Sequence, residues 1–196
     1  NGNVDSVFEE LRNLKVMSRA FPGKLVVDTI SKTFVKNILL VEQTDPDAIL
    51  NRAITDEEKR RVAEKVLLRY GLNGDKAFRY TVSRAGAVGP AQVMADTGNI
   101  VNKRYLGANL ISNMNLARVD MKNAIKLEIL VFDDHLVEVK DRVNNSGARA
   151  KRVFDGLTED QLDEVRGMIY NGGASKYNVS TGGLKVGVPG YRETKM

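Results

Sequence analysis

Apolar residues recur at three- and four-residue steps along most of this chain, a spacing that predicts a mainly α-helical protein. Val4, Val7, Leu11 and Leu14 mark a first amphipathic helix that ends near Phe21-Pro22-Gly23. A second runs from about Val26 to Gln43, with Ile30, Phe34, Ile38 and Val41 as its apolar stripe. Thr44-Asp45-Pro46 stops it, because the residue before a proline is pushed out of the α region. Glu42 therefore falls at a helix C-terminus, beside an apolar stripe. Thr55 and Glu58 have the spacing of a capping box, followed by Val62, Val66 and Tyr70 on one face, and Gly71 suits the position just past the end.

Phe78 to Val82 reads as a short strand or extended segment leading into a glycine turn, and a helix is expected from about Pro90 to Tyr105, with the proline in its first turn. The clearest helix spans about Asp120 to Val143: Ile125, Ile129, Phe132, Leu136, Val139 and Val143 keep a four–three rhythm throughout, which marks it as the central buried element. Another starts at the capping pair Thr158 and Gln161, continues through Leu162, Val165 and Ile169, and is stopped by Asn171-Gly172-Gly173. The glycine-rich end of the chain reads as irregular. The expected architecture is one mainly α-helical domain over residues 1–196.

Composition narrows the function classes. A chain of 196 residues with 42% apolar content can bury a full core. No stretch approaches the roughly 18 consecutive apolar residues of a membrane span, so a soluble domain with no transmembrane segment is expected. The chain start shows no charged segment leading into an apolar one, so an export signal is expected to have been removed or never present. With no cysteine and a single histidine, thiolate metal sites and a Ser-His-Asp site are disfavoured, and no metal or cofactor is expected. The net charge of +5 favours an anionic partner. The basic clusters Lys59-Arg60-Arg61 and Arg149-Ala150-Lys151-Arg152 lack interleaved aromatics, so they read as solvated faces and nucleic acid is not the expected partner.

Three features carry candidate chemistry. Glu42, at a helix end beside apolar residues, is placed for burial to disfavour its charged form, as a general acid requires. In Ser83-Arg84-Ala85-Gly86-Ala87-Val88-Gly89-Pro90-Ala91-Gln92-Val93-Met94, the glycines open backbone conformations closed to other residues, and Gln92 can both donate to and accept from a sugar. No Gly-Lys-Ser/Thr follows, so this is not a nucleotide-binding loop. Tyr170 and Asn171 close a helix where a phenol and an amide could enter a cleft. His135, between the apolar stripe and the polar side of the long helix, reads as boundary packing.

The residues from Thr81 to Thr97, the helix start at Asp120-Met121-Lys122-Asn123-Ala124, Tyr170-Asn171-Gly172-Gly173 and Tyr191-Arg192-Glu193-Thr194 together resemble, in order, the motifs of the soluble lytic transglycosylases. The resemblance covers roughly Val26 to Lys195. It implies a lysozyme-like fold and cleavage of the β-1,4 bond between N-acetylmuramic acid and N-acetylglucosamine in peptidoglycan, with the muramyl 6-hydroxyl attacking C1 to leave a 1,6-anhydro end. Glu42 would be acid and then base; the Gly89 backbone and Gln92 would line the sugar site; Tyr170 and Asn171 would hold the substrate or the glutamate; Glu193 would line or support the cleft.

The chain departs from that pattern. Thirty-nine residues separate Glu42 from Val82, where the family has a short gap, which implies an insertion at about 45–78 containing the Thr55 helix, either narrowing the cleft or docking a partner protein. Glu64 on that helix competes with Glu42 for the acid role. Gln43 replaces the usual serine, Pro90-Ala91 replaces Leu-Met, and Leu127 stands where glycine is frequent. The implied location is the periplasm or cell envelope, or a phage particle acting on a host wall. A non-catalytic glycan-binding module of the same fold and a hydrolytic muramidase are the competing expectations.

Overall fold

The structure, a computed structural model, describes residues 2–45, 53–170 and 172–184. It is mainly helical. The described residues form α1 (Gly2–Asn13), α2 (Lys32–Val41), α3 (Asp56–Asn73), α4 (Ala95–Arg104), α5 (Met114–Val119), α6 (Met121–Asn145), α7 (Ala148–Asp155) and α8 (Glu159–Tyr170). A two-stranded antiparallel ladder follows, β1 (Tyr177–Asn178) with β2 (Gly183–Leu184). No described helix is long and apolar enough to cross a membrane.

The long helix α6 organises the rest. Asp120 caps it by accepting the Asn123 N–H at 3.0 Å. α1, α4, α5, α7 and α8 all pack on it. Ile125, Leu127, Ile129, Leu130, Phe132 and Leu136 are buried around its whole circumference, so the stripe expected from sequence is widened to every side. A helix enclosed in this way must answer its own charges. Lys126 donates to Glu10 at 2.5 Å. Asp133 accepts from the Ser18 hydroxyl at 2.5 Å, the Arg19 N–H at 2.7 Å and the Tyr105 hydroxyl at 2.7 Å. Asp134 is held by Arg19 and Arg104.

Several boundaries differ from expectation. α1 ends at Asn13, because Lys15 takes a left-handed conformation and residues 14–31 form a loop pinned by a Met17–Leu25 bridge. Val26–Asp28 is only a 3-10 turn, and α2 begins after Ser31, whose hydroxyl accepts the Phe34 N–H at 3.0 Å. Its deeply buried positions are Val35 and Leu39, one step beyond the expected stripe; Glu42, the C-cap, continues that face. The Thr55–Glu58 capping box is formed, but α3 passes through Gly71 and ends at Gly74, which supplies the positive φ. The helix expected from Pro90 starts only at Ala95, because Gln92 sits at φ +50° and turns the chain first.

The extended segment before the turn is reduced to single bridges, Val82–Val88 and Val88–Val93. α5 and α7 were not anticipated; each is short, and α7 buries only Ala150 and Phe154. The basic cluster on α3 is paired along its own helix, Lys59 with Asp56, Arg60 with Glu64 and Arg61 with Glu57.

Phe132 is fully buried, with its ring 4.9 Å from that of Phe34 and 4.8 Å from that of Tyr170, so it joins α2 and α8 to α6. Phe132→Ala is expected to cost about 3–5 kcal/mol. The check is a urea titration in which the midpoint falls while the slope is kept.

Candidate functional site

The glycine turn is built first by its own backbone. Ser83 and Ala87 exchange hydrogen bonds, N–H to carbonyl at 2.9 Å and N–H to hydroxyl at 3.0 Å, and the Gly86 N–H reaches the Ser83 carbonyl at 3.0 Å. The Gly89 N–H donates to the Thr81 carbonyl at 2.9 Å. Gly89 has φ +82°, and a Cβ there would stand 1.9 Å from the Arg118 carbonyl oxygen, so the close approach of the α5 end excludes any side chain. Gln92 folds back, its amide donating to the Gly89 carbonyl at 2.8 Å.

Three elements then clamp the turn from outside. Directly after α2, the Gln43 amide donates to the Gly89 and Pro90 carbonyls at 3.0 and 2.9 Å. From α5, the Arg118 guanidinium donates to the Gly86 and Val93 carbonyls at 3.4 and 3.2 Å. At the end of α8, the Tyr170 hydroxyl donates to the Ala91 carbonyl. The glutamine standing where a serine was expected is thus a structural tie between the Glu42 end of α2 and the turn.

These ties enclose a cavity of about 260 Å³ lined by Glu42, Ser83, Gln92, Thr97, His135 and Tyr170, among others. Glu42, Gln92 and Tyr170 therefore converge, although 127 residues separate the first from the last. Glu42 and Tyr170 also line a larger groove of about 820 Å³ between α2 and α8, with Asn37, Asp160, Asp163 and Glu164 along it. Glu42 stands where the two spaces adjoin. Gly89 does not line either; its N–H and carbonyl are both used inside the turn. Glu64 is on the outer face of α3, paired with Arg60 and away from both spaces. Asn171 and the Tyr191-Arg192-Glu193-Thr194 segment lie outside the described residues.

Burial, then the charges of Glu128 and Glu42, push the Tyr170 phenol well above its usual range, so it stays a neutral donor. His135 is pushed below the usual histidine value by burial, against the pull of Glu138 and Asp134, and its buried Nδ1 has no partner. The side chain is half-buried in the cavity wall, as the boundary reading of the sequence had it, and burial favours its neutral form. Its i,i+4 relation to Val131, which lines the same cavity, was the available signal. Ser83 enters the cavity because the turn needs its hydroxyl inside.

No known protein family, characterised protein or solved structure matches this chain.

Two glycines of the turn give a controlled comparison. Gly86 has φ +92° but open space around it, so Gly86→Ala is expected to cost only the left-handed strain of about 1–2 kcal/mol. Gly89→Ala adds a backbone collision with Arg118, so its loss of melting temperature should exceed that of Gly86→Ala clearly. For His135, the folded side chain stays neutral while the unfolded one takes a proton below about pH 6.5. Its contribution is fully present above that pH, and stability falls as the medium is acidified further, by up to about 1.4 kcal/mol per pH unit. Denaturant titrations of wild type and His135→Gln should diverge from pH 7 to pH 5 in that sense.

Proposed function

We propose that this chain cleaves the β-1,4 bond between N-acetylmuramic acid and N-acetylglucosamine in peptidoglycan, as a lytic transglycosylase of lysozyme-like fold, with Glu42 as its general acid and base. The observation that carries the reading is the convergence of Glu42, Ser83, Gln92 and Tyr170 on one cavity that adjoins a longer groove at the Glu42 carboxyl. A polymer cut within its length needs room on both sides of the acid, and the two spaces offer that.

In this reading Glu42 passes its proton to the glycosidic oxygen as the C1–O bond breaks. It then takes the proton of the muramyl 6-hydroxyl as that oxygen bonds to C1, so the carboxyl ends as it began and no water is consumed. Among the described residues Glu42 is the one acid lining the smaller cavity, which suits a mechanism with a single carboxyl at the reacting atoms. Gln92 and Ser83 offer donors and acceptors to sugar hydroxyls and amides. Tyr170 keeps the turn that presents them in register with α8. The site of action would be the periplasm or cell envelope, or a host wall approached by a phage particle.

Purified peptidoglycan digested by the wild-type protein should yield 1,6-anhydro muropeptides by mass spectrometry, and Glu42→Gln should lower the rate by about 10²- to 10⁴-fold. Reducing-end products would make the protein a muramidase. Sedimentation with the wall without any released product would make it a binding module.

A further inference from the structure

Glu128 is wholly screened from solvent in the middle of α6, and among the described residues neither of its carboxyl oxygens has a hydrogen-bond partner. The other ionisable groups buried on this helix, Lys126, Asp133 and Asp134, are each answered by a named partner. Three titratable groups lie within electrostatic reach of Glu128: Tyr70 of α3, Tyr170 of α8 and Glu42 at the end of α2. Both phenols are committed elsewhere, Tyr70 to the Leu39 carbonyl at 3.2 Å and Tyr170 to the Ala91 carbonyl. An unpaired carboxylate in such a place would be strongly destabilising. Burial, reinforced by the Glu42 charge, accordingly drives Glu128 well above the carboxylate range and favours its protonated form.

A neutral carboxylic acid has an O–H to give, and this one is unspent. The acceptor that arises in its surroundings is Glu42, which becomes a carboxylate each time it gives up its proton. Glu128 is not part of the lining of either space at Glu42, whereas Val131 and His135, further along α6, are part of the smaller one. It stands behind the reacting surface.

Resting on the proposed glycan-cleaving reaction, we infer that Glu128 is a positioning residue whose proton stabilises and orients the Glu42 carboxylate, directly or through one water, between its loss of a proton and its recovery of one. No atom of Glu128 is transferred; only the hydrogen bond forms and relaxes with each turnover. Because the two carboxyls repel when charged, a charge on Glu42 disfavours ionisation of Glu128.

The pair can be separated by two substitutions at one position. Glu128→Gln keeps the size and a donor without a charge; Glu128→Leu keeps the volume without a donor. With the full chain on peptidoglycan, Glu128→Gln should stay within a few-fold of wild type, while Glu128→Leu should lose about 10- to 100-fold, the range for a hydrogen bond to a charged group. The alkaline limb of the Glu128→Leu rate profile should move to higher pH, because an unsupported Glu42 carboxylate forms less readily. Identical profiles for wild type and Glu128→Leu would overturn the inference.

A second readout needs neither activity nor a folded Glu128 variant. Carbon-13 titration of the side-chain carboxyls in wild type and in Glu42→Gln should show Glu128 ionising at lower pH once the Glu42 charge is gone. An unchanged Glu128 titration would overturn the inference even if Glu42 proves to be the acid. If wild type is inert on peptidoglycan while the titrations remain coupled, the glycan-cleaving reading fails and the carboxyl pair stands.

Discussion

Everything near the candidate site depends on α6 being buried on all sides. A helix in that position cannot leave a charge unanswered, and its ionisable residues dictate where neighbouring segments lie. Asp133 draws in the loop after α1 through Ser18 and Arg19 and fixes the end of α4 through Tyr105. Asp134 ties the same loop to α4 through Arg19 and Arg104. Lys126 fastens α1 through Glu10. The scaffold around the cleft is thus held by directed bonds to one helix, with apolar packing filling the remainder.

The turn obeys a different constraint. Its carbonyls point outward from a tight run of glycines and would be left without donors at the foot of a cavity, so three side chains from distant parts of the chain supply them. Gln43, Arg118 and Tyr170 each close one side. Two of these ties begin at the residue next to Glu42 and at a residue sharing its cavity. Glu42 and the turn are therefore kept in register by the same bonds that satisfy the backbone.

The sequence made the skeleton legible where periodicity or capping chemistry is local. α6, the Thr55–Glu58 and Thr158–Gln161 boxes, and the placement of Glu42 as a C-cap all follow from residues within a few positions of one another. What escaped was decided by tertiary contacts. The turn delays α4 because Gln92 adopts a left-handed conformation to reach the Gly89 carbonyl, and no local signal announces that in a residue other than glycine. α2 rotates its buried face to Val35 and Leu39 because α1, α3 and α6 all press on it. Glu128 was invisible for the same reason: on a periodic helix it reads as the polar side, and only tertiary packing turns it inward.

α3 gives that last point its weight. The segment between Glu42 and the turn carries α3, which lays Tyr70 against Phe78, ring centroids 4.7 Å apart, and against the Leu39 carbonyl one turn before Glu42. Tyr70 is also one of the groups that the Glu128 charge acts upon. α3 and the buried acid are thus linked through Tyr70, which the segment between Glu42 and the turn carries to the Glu42 end of α2.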